Sequence, residues 1–517
     1  MFMTTNFFIM LAIVVYLAIM LVIGFVYSKR NNSTEDFYLG GRKMGPLVTA
    51  MSAEASDMSS WLLMGLPGVA YLSGICDAAW TAIGLAVGTW LNWFFVSRKL
   101  RRYSNNIGAI TVPDFFAKRF HDKNNVITAL SALVIIIFFI PYTASGFAAC
   151  GKLFNSLFGI NYQVAMMLSA LLIVGYTITG GFNAVCVTDL VQSIVMTGAL
   201  AIVLIYGISR AGGWTAVMDN AAALPGYLSL TSTFDVASGS EVKYNFLTIF
   251  STAAWGLGYF GMPHILVRFM SIKSSSMIKK SRRIAIVWVI ITLVASVAVG
   301  VLGYVYLFQT EGTVLEGAAS ETIFMVLVQR LTPGFIAGIL LCAIVAAIMS
   351  SSDSQMLVTA SAISNDIYKT IFRKEATDKE LLRVSKIAVI AVAVIAFVLA
   401  LNPDNSVMNL VSYAWAGLGA AFGPAMILSL YWKRMTMKGA LAGMVSGGLG
   451  VLFWNTCLTE SSPIFGSKFV ICDTGLYELV PAFILSVVVI VVVSLIDKKP
   501  SQQVYDEFNR VCTENFD

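Results

Sequence analysis

Residues 52–68 read SAEASDMSSWLLMGLPG, which sets two carboxylates, Glu54 and Asp57, inside a stretch apolar enough to enter a lipid bilayer. A charge at the bilayer centre costs about 2.5 to 3.5 kcal/mol on insertion scales, so such a side chain faces water, a bound ion or another polar group. Gly65, Pro67 and Gly68 follow at once. These residues weaken a helix, and an interrupted membrane helix frees backbone carbonyls where it lines a cavity. An interrupted helix beside buried acids is the pattern of a cation site.

Composition assigns the membrane independently. Of 517 residues, 58% are hydrophobic and only 12% charged, against about 25% charged in a typical soluble domain. Windows of about 19 residues give apolar spans near 7–27, 47–68, 75–96, 127–150, 163–181, 189–209, 246–267, 284–307, 333–360, 386–401, 409–432, 438–457 and 474–496. The expected fold is an all-α integral membrane protein of thirteen transmembrane helices. The longest polar connections, 211–243 and 368–383, and the tail 498–517 are too short to build a core of their own.

Lys and Arg are retained on the cytoplasmic side. With the N-terminus outside and the C-terminus in the cytoplasm, all but Lys152, Arg210, Lys243, Arg330 and Lys468 of the 34 basic residues fall on that side, including Lys29, Arg30, Lys433 and Arg434. The net charge of +6 thus reflects topology and calls for no nucleic acid partner. The first span lacks a basic leader and a small-residue cleavage site, so it reads as a retained helix. Seven cysteines show no metal spacing; Cys457 and Cys472 share an external loop, where an oxidising compartment would allow a disulfide.

Span order suggests an internal repeat. Five spans from 47 to 209 and five from 246 to 432 must run with opposite orientation because five is odd, the layout of inverted-repeat transporters. Residues 1–46 add an N-terminal helix and loop, 210–245 an external loop, and 433–517 two further helices and a tail. The first span of each set is interrupted, by GLPG in one and by WGLGYFGMPH (255–264) in the other. Paired breaks point to a binding site at the membrane midplane.

The ninth span carries AAIMSSSDSQ (346–355). On a helix Ala347, Ser350 and Ser351 stand at i, i+3 and i+4, so a carbonyl and two hydroxyls share one face. Hard cations take such oxygen ligands, and the carbonyls of Ala55 and Met58 would complete a shell for Na+. Serine also bonds back to the i−4 carbonyl or joins neighbouring helices, which leaves a purely structural role open. Asp353 falls off the serine face.

With these motifs in hand, the chain resembles the sodium:solute symporter family, and within it the sodium/proline branch, over nearly its whole length. The resemblance is carried by ASDMS before WLLMGLPG, by the WGLGYFG segment with its PHI, by SYAWAGLGAAFGP (412–424) and by LGGR (39–42). It implies sodium-coupled uptake of L-proline by alternating access, in the bacterial-type cell (inner) membrane, with Na+ as coupling ion and no cofactor or covalent chemistry. The sodium site it implies comprises the Ala55, Met58 and Ala347 carbonyls with the Ser350 and Ser351 hydroxyls, supported by Asp57 and by Asp189. The proline pocket it implies draws on Ser59, Ser60, Trp61, Tyr142, Trp255, Tyr259 and Pro263. Aromatic faces suit a pyrrolidine ring, and hydroxyls with freed backbone groups suit the charged ends of an amino acid.

Glu54 and Ser60 stand where the family pattern has glycine, which leaves another small amino or carboxylic acid open as substrate. Glu54 lies three residues before Asp57, near it on the same helical face. A helix-start position for Asp189 would favour the N-terminal dipole, and His264, beside Arg268, reads as a hydrogen-bonded structural imidazole. Two other classes remain: a proton-coupled carrier using Glu54, Asp57 and Asp189 as a relay, and a transporter-fold ligand sensor. The lipid bilayer is the one macroscopic partner implied, and nothing in the sequence specifies an oligomeric state.

Overall fold

The computed structural model describes residues 2–28, 33–403, 406–459 and 466–513. These residues are almost entirely helical. Lys29 and Arg30 lie outside the described residues. Ten helices among those described are long and apolar enough to cross a bilayer. The remaining three expected spans take other forms, each with a local cause. The stretch 47–68 divides into Pro46–Asp57 and a continuous helix Trp61–Ser73, widely wound over Trp61–Gly65, so the interruption expected at GLPG falls instead at residues 58–60, and Pro67 is tolerated in the first turn of Leu66–Ser73. The stretch 246–267 divides into Phe246–Ala253, a tight 3-10 run Ala254–Gly261 and Pro263–Ser271. The stretch 163–181 ends at Gly181, whose φ of 66° and ψ of −179° bend the helix Tyr162–Arg210; that backbone region is open almost only to glycine.

Two expectations are refined. The protein is not wholly helical, because the loop 211–245 folds a two-stranded antiparallel hairpin, Ser232–Asp235 against Ser240–Lys243, with Phe234 opposite Glu241. The expected polar tail instead forms the helix Gln502–Thr513, with Glu507 against His121 at 3.1 Å. Cys457 and Cys472, whose pairing the sequence leaves open, are both free.

The helix Gly334–Ser361 lies at the centre, packed on Phe2–Ser28, Val126–Phe158 and Tyr162–Arg210, and is buried from Leu340 through Ser361. Large apolar side chains stand exposed on outer helices, among them Phe7, Ile194, Val294, Val394 and Ile484. An apolar surface of this extent suits lipid, which carries no hydrophobic cost.

Where the broken segments cross their neighbours, small residues let backbones touch. A Cβ on Gly88 would fall 2.3 Å from the Gly256 oxygen, and one on Gly256 would fall 2.1 Å from the Gly84 oxygen. At the opposite end of the bundle from the LGGR turn, buried Glu321 accepts from Lys152 Nζ (2.8 Å), Ser406 Oγ (2.8 Å) and the Val407 and Met408 N–H groups (both 3.2 Å). It thereby satisfies the first N–H groups of Val407–Tyr431, which have no intrahelical acceptor. At the LGGR turn, Gly40, Gly41 and Arg42 all have positive φ, and the Arg42 guanidinium reaches Met270 O, at the end of Pro263–Ser271, at 3.0 Å.

Candidate functional site

Helical geometry stops at Asp57. Met58 has φ −71° and ψ 69°; its N–H donates to Glu54 O at 2.8 Å, and the Ser59 N–H donates to Asp57 O at 2.7 Å. The Asp57 carbonyl also accepts from Trp61 Nε1 at 3.0 Å and from the Tyr142 hydroxyl at 3.2 Å. On the side chain, Asp57 Oδ2 accepts from the Tyr259 hydroxyl at 2.5 Å, while Oδ1 is buried without a hydrogen-bond partner among the described residues. Trp61, Tyr142 and Tyr259 thus converge on one residue of the first break. The Ser60 hydroxyl is buried there and likewise unpartnered.

Four of the five expected sodium ligands come together. Ser350 Oγ donates to Ala55 O at 2.8 Å and stands 3.1 Å from Ala347 O; Ser351 Oγ donates to Ala347 O at 2.8 Å. The back-bonding of serine within its helix and the cross-link to the first break therefore coexist. Met58 is at the break, but the acceptors of the two hydroxyls are Ala55, Ala347 and, for Ser351 at 3.3 Å, Ile348. All of these groups are buried.

Trp255 and Pro263 make no hydrogen bond to Asp57 among the described residues. Trp255 stacks on Tyr477 with centroids 5.2 Å apart, and its carbonyl accepts from Trp415 Nε1 at 2.7 Å. Trp415 in turn meets Tyr259 edge-on at 5.0 Å. Within SYAWAG, the indole thus satisfies a carbonyl that the second break frees, a role the motif's spacing did not reveal. Pro263 opens the helix Pro263–Ser271, where a missing N–H costs nothing.

Asp189 departs from its expectation. It is not at a helix start but eight residues beyond the Gly181 bend, paired with Arg268 Nη2 at 3.1 Å and accepting from Ser52 Oγ at 2.6 Å. Arg268 donates further to Ser52 Oγ (2.9 Å), His264 O (2.7 Å) and Ser354 Oγ (2.6 Å). Ser354 also bonds the Ser350 carbonyl at 2.8 Å and stands 3.3 Å from Asp353 Oδ1. One buried network therefore ties both broken helices to the serine helix. Sequence reading missed Ser52 and Ser354, whose only signal was polarity inside an apolar span.

Glu54 is held from a third element: Trp93 Nε1 donates to its Oε1 at 2.7 Å, and Oε2 has no partner among the described residues. His264 corrects the expectation of a hydrogen-bonded imidazole, because both of its ring nitrogens are buried without a partner.

This architecture, two interrupted helices meeting a serine-bearing helix, is that of an ion-coupled membrane transporter. Residues 37–447 match the sodium:solute symporter family model, and the chain belongs to that family. It is 43% identical over 501 residues, 97% of each chain, to the osmoregulated proline transporter OpuE of Bacillus subtilis. It is 42% identical over 506 residues to the sodium/proline symporter of Staphylococcus aureus, covering 96% of this chain and 94% of that one. Its fold is similar to a substrate-bound, outward-open Na+-coupled sialic acid symporter, with TM-score 0.78, 20% identity and coverage of 96% and 99%. A nucleobase-cation-symport-1 family transporter, Mhp1, is a more distant neighbour with TM-score 0.52.

Proposed function

We propose that the protein is a secondary transporter that couples inward movement of Na+ to uptake of L-proline. The observation that carries this reading is the convergence of the Ala55 and Ala347 carbonyls with the Ser350 and Ser351 hydroxyls beside the first break, in a chain with 43% identity to a proline transporter. In this reading Na+ takes those oxygens and the Met58 carbonyl, and Asp57 supplies the negative charge nearby. Ser59, Ser60, Trp61, Tyr142 and Tyr259 line the proline pocket, with Trp255 and Pro263 shaping the second break behind it. Asp189 acts at a distance from the ion, through Arg268 and Ser354.

Ion binding between the first broken helix and Gly334–Ser361 orders the break, completes the pocket and permits closure only with both ligands aboard. The two sites are then reciprocally coupled. The membrane potential contributes about 2.3 kcal/mol per charge per 100 mV. Thirteen crossings, with repeats 47–209 and 246–432 inverted and the N-terminus outside, give the alternating frame in the inner membrane. The proton-relay alternative is disfavoured by geometry, since Asp189 is bonded to Arg268 and Ser52, and Glu54 to Trp93.

The test is uptake of radiolabelled L-proline into proteoliposomes under matched inward Na+, K+ or proton gradients. Accumulation driven by Na+ alone is expected. Equal accumulation under the proton gradient would replace the ion, and absence of uptake under all three would discard proline.

A further inference from the structure

His264 is fully buried, and neither Nδ1 nor Nε2 has a hydrogen-bond partner among the described residues. An imidazole always carries at least one N–H donor. Leaving buried polar groups unpaired costs about 1–3 kcal/mol each, and such groups are few in folded proteins. The ring is fixed in place. It packs on Phe139 at 5.5 Å and meets Tyr142 edge-on at 6.4 Å, while its carbonyl is held by Arg268 Nη1 at 2.7 Å. Tyr142 is the residue whose hydroxyl reaches the Asp57 carbonyl at the first break. The imidazole therefore lies against the same tyrosine that reaches the Asp57 carbonyl, on the other broken helix.

Its setting favours an anion. His264 lies in the first turn of Pro263–Ser271, where the helix dipole is positive; the Ile265 and Leu266 N–H groups already bond Met262 O at 3.1 and 3.0 Å, which leaves the ring N–H as the donor to spare. Glu54 and Asp57 put acidic groups on the first broken helix, with Glu54 Oε2 and Asp57 Oδ1 unpartnered. An amino acid entering this space is sorted by charge, its ammonium toward Asp57 and its carboxylate away from it. Arg268 is already committed to Ser52, Asp189, Ser354 and the His264 carbonyl. A hard cation prefers oxygen ligands to an imidazole nitrogen.

We infer that the His264 ring N–H takes the carboxylate of the transported amino acid, which makes His264 a specificity-determining residue of the pocket. This rests on the reading of the site as an amino-acid pocket.

The experiment measures binding of L-proline and of L-prolinamide, which lacks the carboxylate, to the purified full chain in saturating Na+. Wild type is compared with His264→Leu and with His264→Gln, whose amide N–H can still donate. Stabilisation of the melting temperature by Na+ alone is recorded for each. For His264→Leu we expect an L-proline Kd raised about 10- to 100-fold, an L-prolinamide Kd nearly unchanged, and undiminished Na+ stabilisation; His264→Gln should recover most of the L-proline affinity. The assignment is overturned if His264→Leu keeps the wild-type ratio of the two affinities, or if His264→Gln, folded and stabilised by Na+, loses both ligands equally. Failure of wild type to bind L-proline would instead overturn the proposed function.

Discussion

The hydroxyl of Ser350 donates to the carbonyl oxygen of Ala55 at 2.8 Å, joining two helices 295 positions apart in the chain. This single bond ties the unwound end of the first broken helix to a long, deeply buried helix of the bundle. It also spends, within the protein, the oxygen atoms that suit a sodium ion.

Replacing Ser350 by alanine removes one oxygen ligand and this tether. The Na+ concentration for half-maximal uptake should rise about tenfold or more, and Ser351→Ala should behave similarly. Uptake titrated against Na+ at saturating L-proline checks both, and an unchanged half-saturation for either variant would count against its hydroxyl as a ligand.

Asp57 receives the Tyr259 hydroxyl on one oxygen and leaves the other unpartnered. Asp57→Asn keeps the shape and removes the charge, so Na+-driven uptake should fall at least 100-fold. Tyr259→Phe removes only one donor, and the expected loss of L-proline affinity is about 5- to 20-fold. Initial-rate measurements separate the two, since the aspartate change alone should abolish Na+ dependence.

Arg268 and Asp189 form a buried pair. Removing one partner of such a pair costs about 3–5 kcal/mol, whereas replacing both by apolar groups is often neutral. Arg268→Met should therefore lower the melting temperature sharply, and Arg268→Met with Asp189→Leu should recover much of it. Differential scanning fluorimetry in detergent is the measurement; a double variant no more stable than the single would sink the argument.

Glu321 accepts four hydrogen bonds, from Lys152, Ser406, Val407 and Met408. Glu321→Ala strands the ammonium and the first N–H groups of Val407–Tyr431 and should destabilise by about 3–5 kcal/mol. Lys152→Met should cost less, because the backbone N–H groups keep their acceptor. Thermal unfolding of the two variants side by side tests the order.

Much of this was legible in the chain, because membrane helices announce themselves by length and apolarity and because WGLGYFGMP marks a break; the first break instead falls at residues 58–60, and the helix Trp61–Ser73 runs on through GLPG. The shared face of Ala347, Ser350 and Ser351 was legible too, since i, i+3, i+4 spacing fixes a face; no spacing tells that it meets Ala55, 295 positions from Ser350. What escaped was set by tertiary contact. No local pattern tells that Asp189 meets Arg268 instead of capping a helix, that Trp93 crosses to Glu54, or that Trp415 closes a carbonyl of Trp255. The hairpin at 232–243 was hidden for another reason: its strands are four residues each, too short for alternation to stand out.

A carrier completes its cycle only if it also travels home with nothing aboard. If Na+ takes the oxygens proposed for it, its departure leaves them partnered, because Ser350 and Ser351 donate to the Ala55 and Ala347 oxygens and spare these groups the penalty of standing unpaired in a dry interior.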